Sequence, residues 1–138
     1  MICVALPQEL RARILREAQT AYPRECCGLL QGVRDGGGFH ITALHPVRNL
    51  ASAPDRFDMD PKDQFAAYKG ARANGQSVIG CYHSHPDGRA EPSAADLAGA
   101  GEENFLWLIA GNGEIGVFVY AASGFTQAQL AGRGQPPL

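Results

Sequence analysis

The chain has no apolar run near the roughly 20 residues that a helix needs to cross a bilayer, so a membrane protein is not expected. It has no basic block either: 12 Lys and Arg stand against 14 Asp and Glu, a formal net charge of -2. Without a positive field, neither nucleic acid nor an anionic membrane is an expected partner. The stretch Met1-Ile2-Cys3-Val4-Ala5-Leu6-Pro7 lacks a basic start and a long apolar segment. It is a poor signal peptide, and a cytoplasmic location is the default expectation. The 4 cysteines, Cys3, Cys26, Cys27 and Cys81, include no C-x-x-C pair. Adjacent Cys26 and Cys27 do not suggest a disulfide framework, so reduced, partly buried thiols are expected. Cys81 precedes His83 by two residues, which leaves a role near that histidine open. No internal repeat and no second domain stand out.

What is present fits one domain. The 138 residues are 45% hydrophobic and 19% charged, an ordinary globular balance. The expected domain covers residues 1–131, followed by a Gly- and Pro-rich flexible tail, 132–138. Pro7 suits a first helical turn, and Leu6, Leu10, Ile14 and Ala18 recur at helical spacing up to a stop at Pro23. Cys27 to Val33 reads as a buried strand, Asp35 to Gly38 as a turn, and Phe39 to Val47 as the hairpin partner. Asn49 to Pro54 is a polar loop. Asp60, as N-cap with Pro61 behind it, opens a second helix to about Asn74, with Phe65 and Tyr68 or Lys69 on alternate turns. Ser77 to Ser84 is a strand and Ser93 to Gly101 a short helix. Phe105 to Ala110 and Ile115 to Ala121 are strands joined through Gly111-Asn112-Gly113, and Phe125 to Leu130 reads as a last edge strand. The fold class is α/β of the α+β kind, a mixed sheet flanked by helices.

The chemistry concentrates in Tyr82-His83-Ser84-His85-Pro86, with Ser93 and Asp96 following. Residues i and i+2 of a strand project to one face, about 7 Å apart along the backbone, so two imidazoles can converge on one ion at about 2.0–2.1 Å. Asp96 falls in the first turn of the next helix, where its carboxylate can turn back toward the strand end. Simpler readings exist for each part. Ser93-Ala94-Ala95-Asp96 also has the spacing of a capping box. An H-x-H pair alone also fits satisfied polar or surface histidines. The combination of both features is what points to a metal centre. His40 and His45, in the expected second strand, read as structural or surface residues, and Trp107 as a core aromatic.

The segment from Tyr82 to Asp96 resembles the signature of the JAMM (MPN-plus) zinc metalloproteases, H-S-H-P-x6-S-x-x-D. Glu25, in Arg24-Glu25-Cys26-Cys27-Gly28-Leu29-Leu30-Gln31-Gly32, matches the family's glutamate on an earlier segment. Pro54-Asp55-Arg56-Phe57-Asp58-Met59-Asp60-Pro61 resembles a connection in its small prokaryotic members. The likeness runs from about residue 9 to residue 120. It implies a mixed, curled sheet between helices, related in layout to the cytidine deaminases. It implies one zinc ion held by His83, His85 and Asp96, with water completing the set. Glu25 would shuttle a proton from that water to the leaving amine, and Ser93 would donate to the oxyanion. Taken alone, Glu25 also fits a solvated charge at a helix end.

The reaction implied is amide hydrolysis. The chain looks most like small bacterial enzymes acting on ubiquitin-like (β-grasp) sulfur-carrier proteins that end in Gly-Gly, releasing cysteine or a short C-terminal extension. Such a tail is expected to add as a strand beside the motif. A homodimer is left open. The other readings are deconjugation in an antiphage or phage-tail setting and a metal-free MPN scaffold, against which the retained ligands and Glu25 speak. A nucleoside deaminase requires H-x-E with P-C-x-x-C, and neither pattern occurs.

Overall fold

The computed structural model describes residues 2–131; the tail expected to be loose, from Gly132 on, lies outside them. The elements are β1 (Cys3–Ala5), α1 (Gln8–Ala21), β2 (Cys27–Asp35), β3 (Gly38–Val47), α2 (Pro61–Ala73), β4 (Ser77–Ser84), α3 (Ala94–Gly99), β5 (Phe105–Gly111), β6 (Glu114–Ala121), β7 (Gly124–Gln127) and β8 (Gln129–Leu130). The strands form one mixed eight-stranded sheet in the order β7-β6-β5-β4-β2-β3-β1-β8. No described helix is long and apolar enough to cross a membrane.

The two ends of that order are halves of one segment. At Ala128 the chain leaves β6, with its N–H donating to the Val117 carbonyl at 2.8 Å. One residue on, the Gln129 N–H donates to the Ile2 carbonyl at 2.9 Å. The expected single edge strand over Phe125 to Leu130 is therefore split, and it bends to join both ends of a curled sheet. β1 was not expected at all. It is three residues long and pairs in parallel with β3 and β8, too short for any alternation to show.

The central strands are apolar on both faces, as strands covered from both sides must be. Leu30, Ile79, Tyr82, Leu106 and Leu108 face one cluster with Leu10 and Ile14 of α1. Leu29, Val78, Cys81, Trp107 and Ile109 face a second cluster with Ala67 and Ala71 of α2. The helical spacing of Leu10 and Ile14 thus does in α1 what it predicts. In α2 the buried contacts are the alanines, while Phe65 is 71% exposed. Small residues let α2 lie close on the sheet, and the aromatic side chains are left outward. Gly80 serves the same closeness between strands: a Cβ there would sit 2.2 Å from the Leu106 carbonyl oxygen across the parallel β4–β5 pair.

This layering decides where the motif points. His83 alternates with Tyr82 on β4. It shares the face of Cys81, Trp107 and α2 rather than that of α1.

Candidate metal centre

β2 and β4 run antiparallel with Cys27 opposite His83. Just beyond that pair, the Ser84 hydroxyl accepts from the Cys26 N–H at 2.9 Å, and the Ser84 N–H donates to the Cys26 carbonyl at 3.1 Å. These two bonds hold the Glu25 end of β2 beside the histidine end of β4. A carboxylate oxygen of Glu25 and a ring nitrogen each of His83 and His85, atoms able to bind a metal, all lie within 4.8 Å of one another.

Asp96 arrives from α3. Its N–H donates to the Ser93 hydroxyl at 3.0 Å, and its Oδ2 accepts from the Ser93 N–H at 2.9 Å, so the capping box is formed. The same Oδ2 lies 3.2 Å from His83 Nε2 and 3.1 Å from His85 Nε2. The two Nε2 atoms are 3.0 Å apart. Capping and convergence on the histidines are thus not alternatives, because one carboxylate does both.

These three atoms make a nearly equilateral triangle. Tetrahedral bonds of about 2.0–2.1 Å require ligand–ligand separations of about 3.3–3.4 Å, so the triangle is close to one face of such a tetrahedron. Proton inventory supports a cation. His85 Nδ1 lies 2.7 Å from the Arg89 carbonyl, which accepts only if Nδ1 carries the hydrogen. In the neutral ring, Nε2 then presents a lone pair toward the triangle. Gly111 makes that arrangement possible, since a Cβ there would lie 2.6 Å from the Arg89 carbonyl carbon. A lone pair, a carboxylate oxygen and a second imidazole nitrogen facing one point at this spacing are satisfied by a metal ion.

The electrostatics follow burial and pairing. Burial acts to raise the Asp96 carboxyl, but hydrogen bonds from His83 and His85 outweigh it and hold the group well below the usual carboxylate range. His83 is fully buried, and burial lowers its pKa. For His85 burial also acts downward, yet in the imidazolium form hydrogen bonds to Asp96 and the Arg89 carbonyl leave its pKa raised, so a metal ion at Nε2 would take the place of a proton there. Glu25 is only 6% exposed, and its Oε1 is buried with no hydrogen-bond partner. Burial pushes its carboxyl up to about 7, with Asp96, Asp55 and Asp87 adding to the rise and His85 opposing it. This is no solvated surface charge. The neighbouring thiols are poor nucleophiles, because burial pushes Cys26 up to about 11 and Cys27 up to about 12. Cys81 is buried in the core, and no disulfide forms among the described residues. His40 pairs with Asp35 and His45 with Gln31, each at 2.8 Å, as the structural reading of those histidines expects.

Two depressions meet at Glu25 and Asp55. A cleft of about 660 Å³ is lined by Glu25, Phe57, Tyr68, Asp96, Phe105 and Trp107. A second, of about 760 Å³, is lined by Glu25, Asp55, His85, Pro86, Ser93 and Ala95. Trp107 is a core aromatic, as expected, and it also meets the edge of His83 at a centroid distance of 5.7 Å. Strand addition beside the motif is not available in the sheet, because β2, β4 and β5 each have neighbours on both sides. The sequence reading missed Phe57, whose ring centroid lies 4.5 Å from that of His83. Nothing in the residue pattern of that loop announces a ring contact made across the fold.

Comparison with known proteins agrees in extent with this architecture. A family described as prokaryotic homologs of the JAB domain matches residues 7–122. A Haloferax volcanii protein named desampylase is 32% identical over 111 residues, covering 77% of this chain and 78% of its own length. A probable TtuB-protein conjugate cleaving protease of Thermus thermophilus is 36% identical over 93 residues, covering 67% of this chain and 57% of its own length. A Desulfitobacterium hafniense protein of known solution structure matches with a TM-score of 0.82 at 33% identity, covering 95% of this chain and 92% of that one.

Proposed function

Because the chain belongs to the family of prokaryotic JAB-domain homologs and is a hydrolase of the JAMM type, we propose that it is a zinc-dependent isopeptidase or peptidase of ubiquitin-like proteins. The proposed substrate is a β-grasp sulfur carrier, cut after a C-terminal Gly-Gly. The observation that carries this reading is the 3.0–3.2 Å triangle of His83, His85 and Asp96 with the unpartnered, buried Glu25 oxygen beside it. Two nitrogens and one carboxylate oxygen, with room for a fourth ligand, suit zinc. The relatives named for cleaving conjugates support the substrate class.

When bound, zinc supplies Lewis acidity, polarising the scissile carbonyl and making water more acidic. Glu25 takes one proton from the attacking water as its oxygen adds to the carbonyl carbon. It returns that proton to the nitrogen as the C–N bond breaks, so that the leaving group departs as a neutral amine. Burial of Glu25 matches its proton affinity to this exchange near neutral pH. Ser93 Oγ accepts the Asp96 N–H, which leaves its own hydrogen free to donate to the developing oxyanion. The apolar cleft along Phe57, Tyr68 and Trp107 takes the extended tail, and the depression beyond His85 takes the leaving group.

Replacing Ser93 by Ala should lower kcat by about 10²–10³ if the hydroxyl is an oxyanion donor. The same change removes an N-cap and should cost about 1 kcal/mol of stability. Thermal melting and turnover, measured together, separate the roles: a lowered melting point with unchanged kcat would leave Ser93 as a cap alone. The substrate reading is tested by mass spectrometry of candidate Gly-Gly carriers incubated with the zinc-loaded protein. A C-terminal mass loss, slowed by about 10-fold or more in an Ala-Ala carrier, is the expected result. Equal cleavage of both carriers would remove Gly-Gly recognition from the account.

A further inference from the structure

Ligating histidines almost always hand their second ring nitrogen to a hydrogen-bond partner, which fixes the plane of the ring. His85 does so through the Arg89 carbonyl. His83 does not: its Nδ1 is buried and has no hydrogen-bond partner. Away from Nε2, its ring is held by packing instead. Phe57 lies over it at 4.5 Å with the planes tilted by 31°, and Trp107 meets it edge-on. Phe57 belongs to no helix or strand, so the orientation of His83 depends on what holds the loop that carries Phe57.

The side chain that closes that loop around Phe57 is Asn49. Asn49 Nδ2 donates to the Arg56 carbonyl at 3.0 Å, and Asn49 Oδ1 accepts from the Asp58 N–H at 2.9 Å, so the carboxamide grips the residues on either side of Phe57. Nδ2 also donates to the Glu25 carbonyl at 3.0 Å, and Oδ1 also accepts from the Ala51 N–H at 2.9 Å. A carboxamide offers two donor hydrogens and two acceptor lone pairs, and here all four are used. The backbone reinforces the closure, with Asn49 and Met59 forming an isolated bridge and the Leu50 N–H donating to the Asp58 carbonyl at 2.8 Å.

We propose that Asn49 is a positioning residue that sets Glu25 and His83 relative to each other, by tying the backbone of Glu25 to the loop whose Phe57 stacks on His83. It touches neither the reacting atoms nor the metal. Its two donors do the coupling, because both meet carbonyls that belong to the two parts being joined. Its two acceptors shape the turn at residues 51 and 58. This division makes the proposal separable from a role in folding alone. Aspartate keeps the acceptors and loses the donors, presenting oxygen to the Glu25 and Arg56 carbonyls.

The inference rests on the proposed metal-dependent hydrolysis, and its test carries readouts for both. The parent, Asn49→Ala, Asn49→Asp and a core control, Ile14→Val, are loaded with cobalt(II). Their visible absorption is recorded, and kcat and KM are measured on a cleavable carrier. For Asn49→Ala, a fall in kcat of about 10–100-fold with KM within about threefold is expected. Its cobalt bands should be displaced from those of the parent, while Ile14→Val keeps the parent spectrum. Asn49→Asp should do no better than Asn49→Ala. Recovery of parent kcat and spectrum by Asn49→Asp would overturn the proposal, because the donors would then be dispensable. Parent-like values in both Asn49 variants would overturn it as well. If neither variant folds, Phe57→Leu decides through its cobalt spectrum: displaced bands support the coupling through the ring, and parent bands overturn it. A parent that takes up no cobalt and cleaves no carrier would instead bring down the proposed function beneath it.

Discussion

Asp96→Asn is expected to abolish metal loading and, with it, turnover, while leaving the chain folded. Asparagine has nearly the size of aspartate, and its carbonyl oxygen can still accept the Ser93 N–H that Asp96 Oδ2 accepts now at 2.9 Å. The cap of α3 is therefore kept. The negative charge is lost, and with it the one anionic donor of the three-atom triangle. Two imidazoles 3.0 Å apart then face a neutral amide. Loss of a partner behind a metal ligand already costs about 10–100-fold in affinity or activity, and loss of a ligand itself should exceed that. Metal analysis of purified protein should read near one zinc per chain for the parent and near zero for the variant, with similar melting curves after metal removal. A variant that retains stoichiometric zinc would take Asp96 out of the ligand set.

Glu25→Gln is expected to do the reverse: zinc is retained and the rate falls by about 10²–10⁴. Glutamine preserves the shape of the side chain at a site that is 94% buried by its 6% exposure, so packing is little disturbed. What disappears is the capacity to take and return a proton. The structural reason for assigning the task to this carboxylate is its unused oxygen. Oε1 is buried and unbonded beside the histidines, a state that costs stability and that a functional role accounts for. Steady-state kinetics of zinc-loaded parent and variant, with metal content measured on the same samples, checks the prediction. Turnover by the glutamine variant at the parent rate would show that the proton travels by another route.

Much of this arrangement was legible in the residues, and the reasons are local. His83 lies on β4 and His85 one residue past its end at Ser84, where the His85 N–H still donates to the Ala110 carbonyl, so the period of the strand carries over to both imidazoles. Asp96 lies in a helical first turn three residues after a Ser, where a side chain is directed back toward the N-cap. The α1 face was legible because Leu10 and Ile14 repeat at helical spacing and both are buried. Glu25 was identifiable only by family likeness; its burial comes from the pairing of Cys27 with His83, a contact between residues far apart in sequence. The curl of the sheet was legible only as part of that likeness, since the closing segment is seven residues that divide at Ala128 between two partners. Asn49 and Phe57 read as loop residues. Their importance lies in hydrogen bonds and a ring contact that no spacing encodes. The outward placement of Phe65 has the same origin, because helical spacing identifies a face but does not say whether large or small side chains lie against the sheet.

The most direct test is a crystal of the zinc-loaded protein measured at energies on either side of the zinc absorption edge. The account predicts a single anomalous peak per chain within about 2.0–2.1 Å of His83 Nε2, His85 Nε2 and an Asp96 carboxylate oxygen, with Glu25 beside it and unligated. A peak bound elsewhere, or one that takes Glu25 as a ligand in place of Asp96, would contradict it.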